Sequence, residues 1–163
     1  MVTIKKAAEC DIPTIRNLAE RSWWPTYSAI LSERQIRFML DTLYSEKRLT
    51  EGFRTNEVFL LMHDKNGYTG FVSYQPWKEE AAWKINKLYV LPECHGLGYG
   101  RKLVEEVIRA ARDEGITTLV LNVNKFNPAF NFYKKLGFTV LREEDIPIGQ
   151  YWMNDYVMIL PLK

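Results

Sequence analysis

Three glycines at alternate positions, Gly96, Gly98 and Gly100, follow the apolar run Leu88-Tyr89-Val90-Leu91 and precede a long amphipathic segment. Read as a strand, a glycine-rich turn and a helix start, this stretch lets the backbone approach a ligand closely and adopt positive φ where needed. A turn that feeds a helix aims several unpaired N–H groups at one point, and the helix dipole adds positive potential there. The chemistry best served is phosphate binding. The stretch lacks the Lys-Ser/Thr pair of a nucleoside-triphosphate loop. It also lacks the acidic residue at the end of the next strand that would hold a ribose, which argues against a dinucleotide. A different phosphate-bearing cofactor is expected.

Bulk properties narrow the partners. A net charge of +2, with no basic run interleaved with aromatics, argues against nucleic acid. No apolar run approaches the ~20 residues of a membrane helix, and Val2-Thr3-Ile4-Lys5-Lys6 is too short and polar for a signal peptide. The cysteines, Cys10 and Cys94, are far apart, and the histidines, His63 and His95, have no acidic cluster to join them, so no metal site is expected. A reducing cytoplasm is the expected compartment. A chain of 163 residues is read as a single domain, 1–163.

The elements that must position the glycine turn follow from periodicity. Val2–Lys6 reads as a strand. Asp11 and Pro13 open a helix whose face carries Ile12, Ile15, Leu18 and Ala19, with its end expected near Trp24 because Pro25 follows. Ser32 and Gln35 have capping-box spacing ahead of Ile36, Met39, Leu40 and Leu43. Val58–His63 and Tyr68–Tyr74 flank Asp64-Lys65-Asn66-Gly67 as a hairpin. Trp83–Val90 should place Trp83, Ile85, Lys87 and Tyr89 on one side and Lys84, Asn86, Leu88 and Val90 on the other. After the glycines, Leu103, Val104, Val107, Ile108 and Ala111 form a buried stripe, and Gly115 stops the helix. Ile116–Val123 is a strand covered on both faces, Asn127-Pro128 opens a short helix, and Phe138–Leu141 and Trp152–Leu162 are strands. The order β, α, α, β, β, β, α, β, α, β, β combines a hairpin with one parallel crossover. It predicts an α+β fold, a sandwich around a mixed sheet.

Two motifs carry a resemblance. Leu88–Arg101 is similar to the acyl-CoA motif of the GNAT superfamily of N-acetyltransferases, Gln/Arg-x-x-Gly-x-Gly/Ala after a strand, with His95 in the Gln/Arg place, then Gly98 and Gly100. Asn127-Pro128-Ala129-Phe130-Asn131-Phe132-Tyr133-Lys134-Lys135-Leu136-Gly137-Phe138 resembles the family's Ala-x-x-Phe-Tyr-x-x-Leu-Gly-Phe signature. The resemblance covers essentially the whole chain. It implies a GNAT-like α/β/α sandwich around a mixed, mostly antiparallel, splayed sheet, with acetyl-CoA wedged between the strands that hold Val90 and Val123. The pantetheine arm would then pair with backbone at Leu88, Tyr89 and Val90, and the diphosphate would sit on the amides of His95, Gly96, Leu97, Gly98, Tyr99, Gly100 and Arg101. Asn127 is open to two roles, a pantetheine contact and a helix cap.

The implied reaction is direct attack of a primary amine, of a small molecule or a peptide, on the thioester. Tyr133 is the implied general acid, since a phenol can protonate a departing thiolate of similar pKa. Asn86 stands about where many relatives carry a glutamate base; it cannot take a proton but can position a water. Glu79, Glu80 and His63 are the other groups able to accept one, each more simply read as a surface or turn residue. Tyr27 and Tyr151 are the expected acceptor-pocket residues, with Trp23, Trp24, Trp152 and Tyr156 near them and Asp155 able to add charge. A non-catalytic acyl-CoA-sensing domain of the same fold is the competing expectation. The amine, the acyl chain and the oligomeric state, a homodimer included, are left open.

Overall fold

The computed structural model describes residues 1–79 and 81–162. Its elements are β1 (Thr3–Lys6), α1 (Ile12–Tyr27), α2 (Glu33–Leu43), α3 (Glu46–Arg54), β2 (Val58–Asp64), β3 (Gly67–Pro76), β4 (Ala82–Val90), α4 (Tyr99–Asp113), β5 (Thr118–Asn124), α5 (Ala129–Lys135), β6 (Thr139–Ile148) and β7 (Tyr151–Pro161). The strands form one sheet in the order β1-β2-β3-β4-β5-β7-β6, and only the β4–β5 pair is parallel. A core under α1–α3 covers one face, and a second core under α4 and α5 covers the other. This is the mixed, mostly antiparallel α/β/α sandwich expected.

α1 does not stop at Trp24; it runs through Pro25 to Tyr27. Pro25 cannot donate to the turn before it, and an interior proline costs ~3 kcal/mol. On either side, Trp23 and Tyr27 are buried with ring centroids 4.5 Å apart. Burying two such rings, each ~150–250 Å² at about 25 cal/mol/Å², outweighs that cost. Asp11 precedes α1 but turns its carboxylate back to accept from the Ala8 N–H at 2.9 Å rather than capping the helix. Ser32 does cap α2, accepting from the Gln35 N–H at 3.1 Å, whereas the Gln35 side chain leaves to reach the Trp152 carbonyl. α3, capped by Ser45, was not expected from the periodicity; its apolar content is two residues, Leu49 and Phe53.

The strand alternation expected for β4 breaks at Asn86. Lys87 pairs with Ser73 of β3 but Ile85 pairs with Tyr74, so Asn86 is an extra residue, a β-bulge. Trp83 and Ile85 therefore face the α4 core, while Tyr89, expected on their side, faces the α1 core; Leu88 and Val90 take the α4 side. Just before the bulge β4 parts from β5: their pairing is confined to Ala82–Ile85 against Thr118–Leu121.

Candidate active site

Parting of β4 from β5 exposes main-chain groups. Leu91 spends its N–H on the Thr69 carbonyl at 2.8 Å, so by the alternation of a strand the Val90 N–H points away from β3, into the gap. A cleft of about 720 Å³ opens there. Leu88, Tyr89 and Val90 form one wall, the turn from Pro92 to Arg101 one end, and Asn127, Pro128, Ala129, Phe132 and Tyr133 the opposite wall; Pro25 and Thr26 reach it from α1.

The turn is built to leave donors free. Gly96 and Gly98 have φ of +83° and +79°, conformations in which a Cβ is strained. Gly98 occupies the N-cap of α4 and has no side chain, so no side-chain cap meets the first amides of α4. The first turn is further braced by the Tyr99 hydroxyl, which donates to Asp64 at 2.9 Å. His95 is tied inward: its Nε2 lies 3.0 Å from the Val90 carbonyl. A carbonyl can only accept, so Nε2 carries the proton. Leu97 is exposed on the turn, and Arg101 is exposed with Glu105 3.7 Å away. Among the described residues no cluster of His, Cys, Asp or Glu could hold a metal.

Tyr133 is 7% exposed, its ring edge-on to Phe132 and Phe138. Burial raises its pKa, so the phenol stays protonated. Asn127 takes the capping role, its Oδ1 accepting from the Ala129 N–H at 2.9 Å, while its Nδ2 donates to the Tyr27 hydroxyl at 3.4 Å.

The remaining expected residues fall elsewhere. Tyr27 is buried behind the wall, its hydroxyl 3.3 Å from that of Tyr89, and burial raises the pKa of both. Tyr151 packs edge-on to Phe38 of α2 at 5.3 Å, away from the cleft lining. Asn86 is exposed and directs its amide to Glu57 at 3.3 Å. His63 packs against Tyr68, Glu79 is exposed, and Glu80 lies outside the described residues.

Of two buried acidic groups, Glu57 had no signal in sequence, and Asp155 was expected only to add charge. Glu57, buried at the head of β2, accepts at Oε2 from Ser73 (2.7 Å), Asn86 (3.3 Å) and Lys87 (2.9 Å). It fastens both strands across the bulge. Asp155 of β7 is also buried, and burial pushes its carboxyl up to about 6.

Comparison with known proteins adds four findings. A family model described as "Acetyltransferase (GNAT) family" matches residues 16–138. The spermidine N(1)-acetyltransferase of Thermoplasma acidophilum is 30% identical over 85% of this chain and 89% of its own. The crystal structure of PaiA N-acetyltransferase from Thermoplasma acidophilum in complex with coenzyme A superposes with a TM-score of 0.85, at 26% identity over 99% of each chain. An uncharacterised N-acetyltransferase of Mycobacterium bovis is 38% identical, but the match spans 48% of this chain and 51% of that relative, about half the length of each.

Proposed function

Because the chain belongs to the acetyltransferase (GNAT) family, we propose that it transfers the acetyl group of acetyl-CoA to a primary amine by direct attack on the thioester. The observation that carries this reading is the early parting of β4 from β5, which opens a cleft of about 720 Å³ running from the free amides of the turn to Tyr133. Residues Gly96–Arg101 hold the diphosphate, with the positive end of α4 behind them. Leu88 and Val90 offer main-chain partners to the pantetheine amides, Asn127 lies on the opposite wall, and the Val90 N–H meets the oxyanion of the tetrahedral intermediate. As the C–S bond breaks, Tyr133 gives its proton to the sulfur. Asn86 acts through the bulge, by keeping β4 and β5 apart, and Tyr27 acts by holding Tyr89 and Asn127.

The acceptor is a small-molecule or peptide amine. The likeness to a relative named for spermidine favours an aliphatic amine carrying several positive charges. Thiol release from acetyl-CoA over a panel of polyamines, amino acids and N-terminal peptides tests the proposal, with the product identified by mass. Amine-dependent release with a gain of one acetyl group supports it. Release no faster than the amine-free background, with CoA still bound, overturns it.

A further inference from the structure

Asp155 is a carboxylate that the fold does not satisfy. It is 7% exposed, and among the described residues its Oδ1 has no hydrogen-bond partner, while Oδ2 receives only the Asn122 amide at 3.4 Å. A buried carboxylate with one oxygen unpartnered is costly, and a folded chain normally pairs such a group. It sits at the splayed end of the sheet, opposite Asn124 of β5 and Glu144 of β6. Met153, two residues earlier on the same face, packs in the core under α1. The cofactor turn, at the N-terminus of α4, and α5 approach the cleft from elsewhere. Asp155 is set back from the cleft lining; the Tyr27 hydroxyl meets Tyr89 and Asn127, both on the wall, and the Asp155 charge opposes its ionisation.

We propose that, when an aliphatic amine acceptor binds, Asp155 turns its buried, unpartnered Oδ1 to the ammonium group and takes its proton. This rests on the transferase reading above. The ammonium gives one proton to Asp155 and becomes a free amine. The nitrogen lone pair forms the C–N bond at the acetyl carbonyl. The C–S bond then breaks with its electron pair going to sulfur. Sulfur takes the Tyr133 proton, the nitrogen's surplus proton restores the phenol, and Asp155 releases its own proton to water. The groups that tune Asp155 are on the page: desolvation raises its pKa, the Asn122 hydrogen bond and the Lys84 charge lower it, and Glu144 and Asp145 raise it. Glu144, directly across the β6–β7 ladder, is itself paired with Arg142 at 3.2 Å.

The pH dependence of kcat/KM for the best amine in the panel tests this, in the wild type and in Asp155→Asn. For the wild type it should rise to about pH 6 and then stay flat, because Asp155 deprotonates the bound cation. In Asp155→Asn only amine already neutral reacts, so the profile should climb tenfold per pH unit, with a deficit on the order of 10²–10³ at pH 7.5 for an amine of pKa ~10.4. Asn122→Ala, which removes the donor that lowers the Asp155 pKa, should move the acidic limb to higher pH while CoA affinity stays unchanged. A wild type that acetylates no amine overturns the transferase reading itself. An active wild type whose profile superimposes on that of Asp155→Asn, with the limb unmoved in Asn122→Ala, overturns the role of Asp155 alone.

Discussion

Gly98 and Gly115 form a matched pair that isolates the phosphate cradle. Gly98, at the N-terminus of α4, has φ +79°; Gly115, just past its C-terminus, has φ +75°. A Cβ added at either meets no atom within 4 Å, so neither alanine creates a clash in the free protein. Each substitution then costs only the left-handed conformation, ~1–2 kcal/mol. For a chain of this size that lowers Tm by about 2–8 °C, equally for both. They differ in what occupies the open space. Gly98 lines the cleft and Gly115 does not. The new methyl at 98 takes room the diphosphate needs, so CoA affinity should fall at least tenfold in Gly98→Ala and stay at the wild-type value in Gly115→Ala. Thermal melts with and without CoA read both effects together. Saturating CoA at ~100 times Kd adds about 2.7 kcal/mol, a rise of roughly 5–11 °C, which Gly115→Ala keeps and Gly98→Ala loses in part. Equal CoA-induced shifts in the two variants would refute the placement of the diphosphate.

Tyr133→Phe should lower kcat by about 10- to 1,000-fold with CoA affinity unchanged, as single-turnover kinetics and calorimetry would read; an unchanged kcat removes the phenol from the mechanism. Glu57→Ala leaves Lys87 buried without its partner, 2.9 Å away in the native protein, so a melt should show a loss of ~3–5 kcal/mol, and a loosened bulge should raise KM for acetyl-CoA. The raised carboxyl of Asp155 makes stability fall as pH rises from its unfolded value near 3.8 through about 6, because the folded state binds the proton more tightly. Relative to wild type, Asp155→Asn should therefore gain ~1–3 kcal/mol between pH 4 and pH 7.5 in urea titrations, and a difference independent of pH contradicts the buried, unpaired carboxylate.

The parts of this molecule that are local in origin were legible in its residues. The glycine turn, the stripe of α4, the β2–β3 hairpin and the Asn127-Pro128 helix start each depend on neighbours within a turn or a strand. What escaped depends on tertiary contacts. A bulge leaves no mark on periodicity, so the alternation of β4 reads as one register, and the bulged Asn86 is held by Glu57, 29 residues earlier in the chain. α1 passes Pro25 because Trp23 and Tyr27 are anchored in a core that local rules do not contain. Asp155 reads in sequence as a charge beside the acceptor pocket; its burial comes from the pairing of β7 between β5 and β6.

A crystal structure of the protein with coenzyme A bound tests the central claim most directly. The account predicts diphosphate oxygens about 3 Å from main-chain nitrogens between Gly96 and Arg101, the pantetheine arm running between β4 and β5, and the sulfur beside the Tyr133 hydroxyl. A cofactor seated elsewhere, or one whose sulfur turns away from Tyr133 with the gap between the strands closed, would contradict it.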